Sequence, residues 1–167
     1  MRSPLRPPAS RASAHPAAAL TALALTAGLL AGCSLLEGPV PETAERVEPP
    51  VPEAPPVFFP EGSAADNLPY FTEVLRAFAA GEQPVQGVPV VDAVASAGFD
   101  KAAMQVSFDE SKTGLAADSI FVSVRIGADC LIGQVVAEDR GFAAEAKPAL
   151  GPAQDICLIG STRAIDW

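Results

Sequence analysis

From Asn67 to Ala80, Leu68, Phe71, Leu75 and Phe78 recur at spacings of three and four and line one face of a helix. Pro69 fits only the first turn, where a missing amide costs nothing. Asp66 or Asn67 supplies the cap and Gly81 the stop, which predicts a helix over 67–80. A second run, Val88–Ala97, places Val90, Val91, Val94 and Ala97 on one stripe. It opens with Pro89 and closes at Gly98, a residue suited to a left-handed cap, with Phe99 closing the end. Its branched valines lower helix propensity.

Beyond Phe99 the period changes from 3.6 to 2. Met104–Phe108 alternates apolar and polar residues, and Ile120, Val122, Val124 and Ile126 share one face of a strand. Cys130–Ala137 and Ile156–Ser161 are further β-rich runs. Phe142–Lys147 is weaker and precedes Pro148 and the Gly151-Pro152 turn. Two helices followed by strands predict an α+β domain over 64–167, with both helices covering one face of a small antiparallel sheet. Those 104 residues suffice for one core.

The stretch before this domain has a different composition. Ser34–Gly62 contains eight prolines and repeated glutamates, too many ring-locked residues for a helix and too few aliphatics for a core, so 33–63 reads as a tether. In polyproline II geometry its 29 residues would reach on the order of 90 Å. A PxxP-like docking ligand for an aromatic groove is the alternative. Val57-Phe58-Phe59 is the apolar exception, either packed on the domain or projecting as a binding hook.

Residues 1–32 have the three-part layout of a secretory signal: Arg2, Arg6 and Arg11, then the uncharged run Ala17–Leu30, then Ala31-Gly32 before Cys33. Leu30-Ala31-Gly32-Cys33 resembles the lipobox of bacterial lipoproteins, which implies a diacylglycerol on the Cys33 thiol and cleavage just before it. An uncleaved transmembrane anchor over Ala17–Leu36 is the competing reading. Alanine and glycine make a weak permanent span, whereas acyl chains supply about 0.8 kcal/mol per buried CH₂.

Charge sharpens this picture. Formal net charge is −9, and the chain beyond Cys33 keeps 8 basic and 20 acidic residues, a net of −12. That excludes nucleic acid and anionic lipid surfaces as electrostatic partners. The single histidine, His15, also precedes Cys33, so a mature chain would have no imidazole for acid–base catalysis or metal binding.

With Cys33 assigned to lipid, Cys130 and Cys157 remain. Their even count in a secreted chain predicts a disulfide. A redox or metal thiol pair is the weaker reading, because no C-x-x-C motif, histidine or third thiol accompanies them. Both cysteines open the tetrapeptide Cys-Leu-Ile-Gly, at 130–133 and 157–160, which suggests two strands in similar environments. Asp109–Gly114 copies the start of a calcium-binding EF-hand loop, but Ile120 stands where a bidentate glutamate is required, so a polar hairpin turn is expected. Adjacent carboxylates such as Asp109/Glu110 and Glu138/Asp139 would point to opposite faces of a strand rather than share a site. No phosphate loop, nucleophile elbow or S-x-x-K pair occurs. The sequence therefore offers no catalytic residue, no metal ligand and no cofactor site. The lone tryptophan, Trp167, either docks the last segment on the core or serves, with Phe58 and Phe59, as a candidate partner contact.

Phe99–Met104, Leu115–Ile120, Cys130–Gln134 and Thr162–Trp167 resemble segments of an uncharacterised actinobacterial lipoprotein domain family. The resemblance covers most of 64–167. It implies a lipid-anchored extracytoplasmic domain and carries over no catalytic residues. The function expected is a monomeric, non-enzymatic cell-envelope lipoprotein, held to the cell membrane through Cys33 and binding a protein or wall component. A small cell-wall hydrolase or accessory domain using carboxylates or Ser/Lys is the alternative. A single domain of this size lacks the two lobes of a solute receptor.

Overall fold

The first helix starts where a serine and an aspartate cap each other. In the computed structural model, which describes residues 46–167, α1 spans Ala64–Ala80. Ser63 Oγ accepts from the Asp66 amide at 3.2 Å, and the Asp66 carboxylate accepts from the Ser63 amide at 2.9 Å. The helix thus begins three residues earlier than its apolar stripe indicates, with Ser63 as cap and Asp66 in the first turn. Pro69 sits inside the helix instead of at its first position, giving up one backbone bond. Asn67 does not cap either. It is buried, accepts from the Phe59 amide at 2.9 Å and donates to the carbonyls of Phe59 (2.8 Å) and Ser63 (3.1 Å). Its amide group clamps the incoming chain to the helix.

Helix α2 spans Gly87–Ser96, one residue ahead of the predicted Val88–Ala97 at each end. It lacks a side-chain cap of its own, and the Gly87 amide donates instead to Asp109 Oδ1 from a distant loop. Gly98, at φ 103°, ends it as predicted, and Phe99 is buried beneath that end.

Four antiparallel strands follow in the order β1-β2-β3-β4: Met104–Val106, Ser119–Ile126, Asp129–Val136 and Phe142–Pro148. Register pairs Val106 with Val122, Val122 with Gly133 and Gly133 with Ala144. Met104, Val106, Ile120, Val122, Val124, Leu131, Val135 and Phe142 are buried on one face, and both helices pack there. This is the predicted α+β arrangement. The Cys130–Cys157 disulfide forms, with Cα atoms 5.6 Å apart.

Three predicted segments differ. β1 stops at Val106 instead of Phe108. Ser107 still donates its amide to the Phe121 carbonyl, but Phe108 turns out toward solvent. Phe142–Lys147, read as weak, is a full strand reaching Pro148. Ile156–Ser161 is not a strand: only the isolated Leu150–Ile156 bridge forms there. Gln105 Oε1 accepts from the amides of Cys157 (2.9 Å) and Leu158 (3.0 Å), so a side chain of β1, not a neighbouring strand, holds these donors. The two Cys-Leu-Ile-Gly tetrapeptides therefore have different surroundings. Leu131 is fully buried and Gly133 lies under α1, whereas Ile159 is exposed and Gly160 turns the chain at φ 107°.

Cys33, the leader and the first part of the tether lie outside the described residues. From Arg46 on, the Pro/Glu-rich segment lies against the domain rather than standing off it. Arg46 pairs with Asp139 at 3.0 Å, Arg76 donates to the carbonyls of Pro49 (2.8 Å) and Pro50 (3.1 Å), and Phe58 enters the aromatic cluster of Tyr70 and Phe99. An extended proline-rich chain forms no backbone hydrogen bonds within itself, so its carbonyls stay open, and a guanidinium with spare donors takes them.

Two stability outcomes follow. A Cβ built on Gly133 would lie 2.5 Å from Leu75 Cδ1 and 3.1 Å from the Phe71 ring, so Gly133→Ala should destabilise the domain by about 1–3 kcal/mol in denaturant unfolding. Replacing both Cys130 and Cys157 by Ala opens a loop with a sequence separation of 27. It should cost roughly 3–4 kcal/mol on the chain-entropy account, read in the same assay.

Candidate functional site

The sheet's second face has a different cover. Alternation places Gln105 of β1, Phe121, Ser123 and Arg125 of β2, and Cys130, Ile132 and Gln134 of β3 away from the helices. Across this outer face runs the irregular segment 149–163. It is fastened at separate points: the Ala149 amide to the Ala128 carbonyl, the disulfide, Gln105, and the Arg163 amide to the Val106 carbonyl. Gln105 alone makes three of these bonds, its Nε2 donating to the Asp155 carbonyl at 2.7 Å. Ser123 Oγ is sealed in this layer without a hydrogen-bond partner.

Point fastening leaves space. Between the segment and the strands is a hollow of about 310 Å³ walled by Phe121, Ile132, Leu158 and Ile159. A second, of about 530 Å³, lies beside the 109–118 turn and is walled by Phe108, Leu115, Phe121, Glu110 and Asp118. The two share Ser107 and Phe121, so Phe121 stands at the middle of one groove. Its apolar walls are open to solvent: Phe121 is 39% exposed, Phe108 48%, Leu115 69% and Ile159 89%. A large apolar surface of this kind marks an interaction site more often than a scattered exposed leucine does.

The polar turn expected at Asp109–Gly114 forms, bridged between Glu110 and Ala116 with Gly114 at φ 76°. Asp109 is occupied internally: one oxygen takes the Gly87 amide and the other pairs with Arg163 at 2.7 Å. Among the described residues no three His, Cys, Asp or Glu side chains gather as a metal site.

The aromatic candidates separate into different roles. Phe58 is enclosed, its ring 4.9 Å from Phe99 and 5.5 Å from Tyr70. It fills the space above Gly98, where a Cβ would meet it at 3.3 Å. Phe59 is half-exposed and borders a hollow of about 430 Å³ with Pro60 and Asp66. Trp167 docks the last segment. Its indole N–H donates to Asp92 at 3.1 Å, its main-chain oxygen accepts from Lys101 at 3.0 Å, and its ring lies 4.8 Å from the Arg163 guanidinium and 5.1 Å from the Lys101 ammonium. The structure places Phe58 and Phe59 side by side at the start of α1. Trp167 stands with Lys101 and Arg163 instead. The groove residues Phe121, Ile132 and Ile159 were not singled out by sequence reasoning. The available signal was Phe121, an aromatic on the otherwise polar phase of a half-buried strand.

Comparison with known proteins finds one family. Residues 75–161, more than half of the chain, match the family described as Domain of unknown function (DUF6993). No curated protein and no solved structure matches. The matched span includes the sheet and most of the groove, and leaves out Phe58, Phe59 and Trp167.

The Asp92 carboxylate is held below the ordinary aspartate range chiefly by its hydrogen bond from Lys101, which outweighs the opposing desolvation, with a lesser contribution from the Trp167 hydrogen bond. A depressed carboxylate keeps its contacts above its unfolded pKa and loses them as pH falls through the folded value. Trp167 emission should therefore hold steady from neutral pH down to the ordinary aspartate range and shift red only below it. Asp92→Asn should give a red shift and greater acrylamide quenching already at neutral pH. Unchanged emission in that variant would show that the docking does not depend on the carboxylate.

Proposed function

We propose that this chain, which belongs to the DUF6993 family, is a lipid-anchored, extracytoplasmic cell-envelope protein whose folded domain is a non-enzymatic binding module. The observation that carries the reading is the Cys130–Cys157 disulfide, buried with Ala149 and Ile132 where it ties the outer segment to the sheet. Disulfides of this structural kind belong to oxidising compartments. The one other cysteine, Cys33, follows a basic start and an apolar run, where a lipobox would place it. In that role two acyl chains hold the protein at the membrane. Among the described residues no helix is long and apolar enough to cross a bilayer.

Support for a binding rather than a catalytic role comes from how several of the candidate reactive groups are engaged. Lys101 is held by Asp92 and Trp167, Lys147 by Glu145, and Asp109 by Arg163 and Gly87. The outer groove is instead walled by apolar side chains, as a docking surface requires.

Intact mass of the protein from the host's membrane fraction tests the reading. The expected mass is that of residues 33–167 plus lipid, with two thiols alkylated only after reduction, and Cys33→Ser should leave the protein unlipidated. A full-length mass with free thiols would overturn both the anchor and the compartment.

A further inference from the structure

The groove centred on Phe121 has a chemistry that narrows its occupant. Its walls are chiefly aliphatic and aromatic: Leu115, Phe108, Phe121, Ile132 and Ile159 run from the 109–118 turn to the C-terminal segment. The charged residues lining it are both acidic, Glu110 and Asp118, and neither carboxylate is in an ion pair among the described residues. No lysine or arginine lines either hollow. Lys112 belongs to the same turn without forming part of the wall, and Arg163 is committed to Asp109. The chain beyond Cys33 carries a net charge of −12. An occupant must therefore bring apolar side chains to the walls and positive charge to the rim.

Shape adds a second restriction. Two hollows meeting at Phe121, together about as large as a small-ligand pocket, suit an elongated molecule with side chains entering on either side of the ring. The lining also carries the hydroxyls of Ser107, Ser111, Thr113, Ser119, Ser161 and Thr162, which can serve the main-chain amides and carbonyls of such a molecule. The hollow beside Phe59, about 430 Å³, is smaller than these two together and is built mainly from the chain's own docked segment.

Resting on the binding-module reading above, we infer that the Phe121 groove docks an extended polypeptide segment carrying apolar and basic side chains. Basic residues of the partner face Glu110 and Asp118, and its apolar side chains enter the hollows beside Phe121 and Ile159.

The test uses the full chain in zwitterionic lipid nanodiscs, with empty discs as the control. The probes are three fluorescein-labelled, capped ten-residue peptides that alternate Lys/Leu, Glu/Leu and Lys/Ser. Fluorescence anisotropy should show the Lys/Leu peptide binding at least about tenfold more tightly than the other two, with affinity falling as salt rises. Asp118→Asn and Phe121→Ser should each weaken it several-fold. Ile159→Ser, at a side chain 89% exposed whose loss threatens no core, should do the same. Absence of Lys/Leu binding, equal binding of the Glu/Leu or Lys/Ser peptide, or unchanged affinity in Ile159→Ser and Phe121→Ser would overturn the inference. A photo-crosslinking residue at position 159, activated in host cells, separates the two levels. A glycan or lipid adduct overturns the polypeptide partner and leaves a binding module, whereas the absence of any adduct counts against both.

Discussion

Phe71 and Leu75 rest on the bare backbone of Gly133, and that close approach sets the distance between the helix layer and the sheet. With any larger residue at 133, α1 would have to rise, and the contacts it makes with β3 and β4 would open together. The same seating brings the end of α1 down to the β3–β4 turn. There Arg140 donates to the carbonyls of Phe78, Ala79 and Gln83 at 2.8–2.9 Å. The last turn of α1 has no basic residue of its own, and Gly81 is extended instead of left-handed. Arg140 supplies both the missing cap and a positive charge at the helix's negative end. It does so from φ 56°, a conformation that costs a non-glycine residue energy. Three charge-assisted bonds offset that cost.

The outer face obeys a different rule. Strands pair in the plane of a sheet, so a segment that crosses its face is held by side chains instead of a ladder. Gln105 takes the amides of Cys157 and Leu158 for its own carbonyl oxygen, and the disulfide ties the same segment to β3. A chain held at isolated points stands off the strands beneath it. The hollow walled by Phe121, Ile132, Leu158 and Ile159 lies beneath this irregular segment, with Cys157 of the disulfide in its wall. The buried, unpartnered Ser123 hydroxyl belongs to the same layer. Such a group is costly, and it lies between Gln105 and Ile132 on the outer face.

How much of this was legible in the sequence depended on whether the governing contact was local. The stripe Phe71, Leu75, Phe78 and the alternation Ile120, Val122, Val124 are properties of one segment, and they identified α1, β2 and the fold class. Parity of the cysteines identified the bridge. The start of α1 was misplaced because Pro69 dominates a local reading, while the Ser63–Asp66 capping box decides the boundary and Asn67 is occupied by Phe59. Ile156–Ser161 reads as a strand by composition, yet two of its amides go to Gln105, some fifty residues away. The docked segment from Arg46 was equally hidden, since Pro and Glu specify what cannot form a core and say nothing of Arg76 waiting for two proline carbonyls. The groove itself arises from three separate stretches, and only the misplaced phase of Phe121 hinted at it.

Exposed apolar groups and a strongly acidic surface answer each other. A patch holding Ile159, Leu115, Phe108 and Phe121 would favour self-association on a neutral protein. Here each approaching copy brings the same excess of carboxylates, with Glu110 and Asp118 on the groove's own rim, so like-charge repulsion opposes the contact that the apolar walls favour. The repulsion is selective, because it vanishes for a partner whose charge is positive. One distribution of residues thus opposes self-association through the groove, with carboxylates discriminating between partners by charge and apolar walls supplying affinity.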